Sequence, residues 1–147
     1  MIFGINDVIM KWYIYLNFYI YSYYKKREQA PVISTLIITS LLLHLNIFSI
    51  YMIYMFVTDF WTIPKLHSNY IVIIVTFLLF LVIINYFLIY YKQKYMSFFN
   101  EFEKNIDMYK HWNLSAKSYI FLSIGLCLIT LIIADLRNHN FELYFLK

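Results

Sequence analysis

Charge is what this chain has least of. Asp, Glu, Lys and Arg make up 14% of its 147 residues, against 63% hydrophobic, a surplus that no single core of a soluble domain this size could bury. Glycine and proline are also scarce, two of each. A β-barrel needs frequent turns between alternating segments of about ten residues, so the shortage favours helices. One cysteine, Cys127, excludes a disulfide framework and a thiolate metal site. The N-terminus lacks a basic start running into a clean apolar stretch and an Ala-x-Ala-like site, so no signal peptide is expected. Also missing are a Walker lysine loop, a Gly-rich dinucleotide turn, an HExxH pair, Cys and His at zinc spacing and a Gly-x-Ser-x-Gly elbow. The expectation is a protein that is not an enzyme and carries no cofactor or metal.

What is present is apolar sequence in long runs. Residues 32–57 and 70–91 and the core of 118–135 hold no Lys, Arg, Asp or Glu between 119 and 134 or in the first two runs, and each reaches the roughly 17 residues that a hydrocarbon core demands. The fold class is therefore an all-α integral membrane protein with three transmembrane helices in one membrane domain, residues 1–147. Aromatic residues, 22% of the chain, fit membrane seating through amphipathic rings at the interfaces. Residues 8–24 are interrupted by Lys11, Asn17 and Ser22 and read as an N-terminal interfacial helix. Pro31 suits the first turn of the next helix, where its missing N–H is not needed. The connection through Pro64 reads as a short turn. In residues 92–117, Tyr95, Phe99, Phe102, Ile106 and Tyr109 recur at three and four, one stripe of a cytoplasmic amphipathic linker helix that could continue span two. Ser115 suits the N-cap of span three.

Cations set the orientation. Lys11, Lys25, Lys26, Arg27, Lys92, Lys94, Lys104, Lys110 and Lys117 share one side, and Lys65, Arg137 and Lys147 the other. The positive-inside rule then puts the N-terminus in the cytoplasm and the C-terminus outside.

Polar residues at membrane depth are costly unless partnered, so they are the candidate functional positions. At 100° per residue Ser40, His44 and Tyr51 form one stripe of the first span, and Thr35, Thr39 and Asn46 a second. These six are the pore or gating candidates. His44 stands out as the ionisable group near mid-span, since an ordinary imidazole titrates near pH 6.5; interhelical glue is the plainer role for it, as for Asn46, Thr76 and Asn85. Ser123, Cys127, Thr130 and Ala134 align small side chains at spacings of four, three and four, a helix-packing stripe that offers a self-association face. Lys92, Lys94, Lys104 and Lys110 are candidates to contact a cytoplasmic regulator, a protein or an anionic nucleotide; a solvated juxtamembrane face explains the same charges, and sequence-specific nucleic-acid binding is not expected.

The stretch YIYSYYKKRE followed by SLLLHLNIFSI, with KYMSFFNEFEKNI in the linker, resembles a family of small three-span membrane proteins of Bacteroidota. The resemblance covers mainly residues 12–53 and implies the bacterial inner membrane and no particular activity. Two functions follow as expectations: a homo-oligomeric pore or ion channel, of the kind a bacterial antiviral defence system uses as a toxic effector, or a non-catalytic membrane adaptor or immunity protein bound to another membrane protein. The bilayer and further copies of the chain are the expected partners.

Overall fold

Helices account for every regular element among the described residues, 5–58 and 69–138 of the computed structural model: α1 (Ile5–Tyr24), α2 (Pro31–Val57), α3 (Asn69–Asn85), α4 (Lys94–Lys104) and α5 (Lys110–Asn138). Three helical stretches are long and apolar enough to cross a bilayer, namely Pro31–Val57, the run that begins at Val72, and Lys110–Leu136. The residues between 58 and 69, including the expected turn at Pro64, lie outside the described residues.

Local chemistry sets the ends. The chain leaves α1 through the charged run Lys25 to Glu28, and Pro31 opens α2 with its fixed φ and unneeded N–H. Ser34 donates to the Glu28 carboxylate and ties this bend to the first turn of α2. At the other end Thr58 closes α2 by returning both its N–H and its hydroxyl to the Tyr54 carbonyl, at 3.0 and 2.8 Å.

The end of α3 departs from the expectation of a helix running on into the linker. A π-helical turn, Tyr86–Tyr90, follows Asn85, then one tight 3₁₀ turn, Tyr91–Gln93. Lys92 and Gln93 both adopt left-handed backbone, with φ of 54° and 57°, where an L side chain crowds the next carbonyl. The chain turns sharply there, so α4 is a separate helix. The physical gain lies in α4's apolar face. Phe99 and Phe102 are buried against Ile14, Tyr15 and Phe18 of α1 and against Tyr109, with edge-on ring contacts of 5.2 Å for Tyr15–Phe102 and 5.5 Å for Phe18–Phe99. A helix running straight out of α3 would carry both rings away from α1.

The linker is also shorter than the sequence suggests. After a turn in which Met108 and Tyr109 donate to the Asn105 carbonyl, α5 begins at Lys110, eight residues before the expected start of span three, and Ser115 lies inside it, not at its N-cap. Nothing in residues 110–118 breaks a helix, and this first stretch is pinned to α1 by a 2.7 Å hydrogen bond from the Tyr15 hydroxyl to Asn113 and by Trp112 edge-on to Tyr15. Of the expected linker stripe, Phe99, Phe102 and Tyr109 are buried, whereas Ile106 falls in the turn and is exposed.

Cross-helix bonds fix the arrangement. Asn85, late in α3, meets Thr39 and Ser40, early in α2, so α2 and α3 are antiparallel; Asn46 of α2 meets Tyr119 of α5, and further along both helices Met52, Ile53 and Phe56 meet Thr130 and Ala134, so these two run the same way. The start of α2, the end of α3, α4 and the start of α5 therefore share one end of the bundle. α1 belongs to that end too. It runs back along α2, with Tyr13 at the level of Asn85 and Ile9 beside Leu43. The outward faces of α2, α3 and α5 remain apolar, with Ile33, Ile37, Leu79, Phe80, Phe121 and Leu122 all exposed, as lipid-facing helices require.

Candidate functional site

Asn85 and Asn17 organise the polar interior, and the reason is stoichiometric: a carboxamide carries two donor hydrogens and an accepting oxygen, so it can join several helices at once. The Nδ2 of Asn85 donates to Thr39 Oγ1 at 2.8 Å and to Ser40 Oγ at 3.2 Å, while its Oδ1 accepts from the Tyr13 hydroxyl at 3.1 Å. One side chain thus ties α1, α2 and α3 together. A turn further along α1, Asn17 accepts from the Tyr90 hydroxyl at 3.0 Å and donates to the Tyr13 carbonyl at 3.0 Å. Asn17, Thr39, Ser40, Asn85 and Tyr90 are all buried. The π turn after Asn85 contributes here, because it turns Ile89 and Tyr90 inward while Tyr86, Phe87 and Leu88 stay exposed.

The two stripes expected on α2 divide differently in three dimensions. Thr39 and Ser40, one from each stripe, share the partner Asn85. Thr35 is buried and satisfied by its own helix through the Pro31 carbonyl, and Thr39 also bonds the Thr35 carbonyl. Asn46 turns to α5 and donates to the Tyr119 hydroxyl at 2.7 Å, and Tyr119 stacks edge-on against Trp12 of α1. Tyr51 is 56% exposed on the outer face. His44 is part-buried against the Phe77 ring, 5.5 Å between centroids, and its Nδ1 is buried without a hydrogen-bond partner among the described residues.

On α5, Ser123, Cys127, Thr130 and Ala134 are all buried. They form the inward face of that helix, and Thr130 and Ala134 meet Met52, Ile53 and Phe56 of α2 around a shared crevice. The stripe that offers a face for a second copy in sequence is spent inside one chain. The outer side of α5 is made of large apolar residues such as Phe121, Leu122, Leu128 and Ile129.

Charges gather at the α1–α4 end. Lys11 pairs with Glu101 at 2.7 Å, and the Tyr109 hydroxyl donates to the same carboxylate at 3.0 Å; Lys25 pairs with Glu103 at 2.7 Å. The Glu101 hydrogen bond holds the Lys11 ammonium above its ordinary pKa of 10.5, and Glu103 does the same for Lys25. With these two acids engaged, Lys92, Lys94, Lys104 and Lys110 stand exposed and make no ion pair among the described residues. Ile106 and Met108, also exposed, lie between Lys104 and Lys110.

Sequence reasoning missed Tyr13, Asn17, Tyr90 and Tyr119 as members of the interior. The usable signal was Tyr13 and Asn17 at i and i+4, a hydrogen-bonding pair on one face of α1. Among the described residues no three of His, Cys, Asp or Glu stand close enough to hold a metal ion. No protein-family model matches this chain, and neither does any curated protein or solved structure.

Proposed function

We propose that this is a multi-pass protein of the bacterial inner membrane, with its N-terminus in the cytoplasm, that acts as a non-catalytic adaptor docking another protein on its basic end. The observation that carries the reading is how its polar groups are used. Apart from the His44 Nδ1, the buried side-chain polar atoms among the described residues are bonded within one chain, and the basic end presents exposed lysines, among them Lys92, Lys94, Lys104 and Lys110, beside Ile106 and Met108. An acidic protein surface, or an anionic nucleotide, is the chemistry such a surface attracts. The cation bias supports the orientation, and the resemblance to small three-span proteins of Bacteroidota supports the membrane; an immunity protein is one form of this role.

Photo-crosslinking in cells from positions 94 and 104 tests the adaptor. One protein should be captured at both positions and lost from the charge-reversed K104E/K110E chain. Capture that charge reversal leaves unaltered would overturn the role assigned to the lysines.

A second reading, the homo-oligomeric pore or channel, is favoured by His44 and Tyr51. A buried imidazole nitrogen without a partner and an outward tyrosine on the same stripe are groups that a second copy or a wet lumen could satisfy. It predicts a ring of several copies in native mass spectrometry and a planar-bilayer current altered by His44→Gln. A monomer that passes no current supports the adaptor.

A further inference from the structure

The longest helices overshoot a bilayer. α2 has 27 residues and α5 has 29, about 40 Å or more at the helical rise, against a hydrocarbon core of about 30 Å. Cross-helix contacts show which part of each is left over. Ser40 accepts from Asn85, Asn85 accepts from Tyr13, and just before Tyr13 on α1 Lys11 pairs with Glu101 at 2.7 Å. Asn46 reaches Tyr119, which also meets the Trp12 ring at 5.3 Å, and just before Tyr119 stands Lys117, exposed and in no ion pair among the described residues. Lys11, Glu101 and Lys117 therefore lie level with the stretch of α2 from Ser40 to Asn46, a band about 9 Å deep.

Such a band is costly inside hydrocarbon. Lys11 and Glu101 are both partly exposed, and charged groups that face lipid tails lose their hydration without replacement. Trp12 and Tyr119 stand in the same band, with Trp112 against Tyr15 about a turn nearer the basic end, the arrangement of rings that marks a membrane interface. Beyond the band one length recurs. α3, Asn69–Asn85, has 17 residues, and Leu41 to Val57 and Ser118 to Ala134 match it, none of the three holding an Asp, Glu, Lys or Arg. About 17 residues is the short end of what crosses a hydrocarbon core, and a bilayer thins locally to meet it.

We propose that the phospholipid headgroup layer at the basic end closes around this band, with the Lys117 ammonium facing lipid phosphate, so that α1 from Lys11 onward, α4, the π turn and α2 as far as Ser40 stand outside the hydrocarbon. His44 then sits beside a headgroup layer and not at mid-bilayer. Whether α4 docks a partner does not enter, so failed crosslinking from positions 94 and 104 would leave this depth standing. Nitroxide labels on single cysteines in the Cys127→Ser chain, reconstituted in phosphatidylglycerol vesicles, test it at positions whose side chains are exposed, Ile37, Leu79, Leu88 and Leu128. Labels at 37 and 88 should collide with a water-soluble nickel chelate, and those at 79 and 128 with oxygen dissolved among the tails. Oxygen preference at 37 and 88 equal to that at 79 would move the boundary to the helix ends and overturn the proposal. Lys117→Leu, which takes a cation out of the band, should shift a label at the exposed Leu114 toward oxygen; an unmoved label overturns the Lys117 contact. If a labelled chain fails to fold, Trp12 and Trp112 in the Trp61→Phe chain carry the test. Their fluorescence should be quenched most by lipids with the nitroxide next to the headgroup, and strongest quenching from the tail end overturns the band.

Discussion

At the scale of single residues, Asn85 is the side chain on which three helices depend. Asn85→Leu removes one hub and leaves the Tyr13, Thr39 and Ser40 hydroxyls short of a partner. Interhelical hydrogen bonds in membrane proteins are worth from about 0.6 to 2 kcal/mol, so the substitution should cost about 2 kcal/mol, read by reversible unfolding in mixed micelles. An unchanged unfolding midpoint would mean that the network contributes nothing. The Lys11–Glu101 pair makes a different prediction. Its raised lysine pKa means that the contribution is fully present below 10.5 and is lost as pH climbs through the raised value. Unfolding in micelles should therefore show no term from this pair between neutrality and about pH 9, and loss only in strong alkali. Lys11 and Glu101 are 31% and 40% exposed, so water screens them and Lys11→Met should cost no more than about 1 kcal/mol.

Among the elements, the bend between α3 and α4 is the part the sequence conceals. Neither glycine, proline nor asparagine marks residues 91–94, and the local pattern alone allows a helix to run through them. The left-handed pair at Lys92 and Gln93 is imposed from a distance, by the burial of Phe99 and Phe102 on α1. Gln93→Gly should accordingly stabilise the protein by about 1 kcal/mol, because glycine takes this backbone without crowding; a loss of stability would count against the bend. α5 teaches the converse. Its small-residue stripe was legible as a packing face, but sequence could not say what packs there. Since Cys127 and Ala134 are buried within one chain, Cys127→Leu and Ala134→Leu should each destabilise that chain by about 1–3 kcal/mol through overpacking. The mass of the particle in detergent should stay the same. A shift to smaller assemblies at unchanged stability would instead mark an interface between copies.

For the whole molecule, the orientation with N-terminus inside is tested by single cysteines at Ser97 and Ser68 in a Cys127→Ser background, labelled in intact cells with an impermeant reagent. Position 68 should react and position 97 should not; the reverse pattern would invert the molecule. The order of residues by itself determined that this chain carries three spanning-length helices, because the free energy of removing apolar surface from water accumulates along each apolar run and needs no knowledge of what packs against it. It also determined where the cations fall along the chain. Which polar residue meets which was decided only in three dimensions. Helical periodicity assigns a side chain to a direction around its own axis, whereas Thr39 and Ser40, from separate stripes, converge on one carboxamide of α3, and Asn46 turns to α5. Those pairings depend on how helices are rotated and staggered against one another, and on a π turn that swings Tyr90 inward to Asn17. Such relations belong to pairs of elements, and no single stretch of sequence contains them.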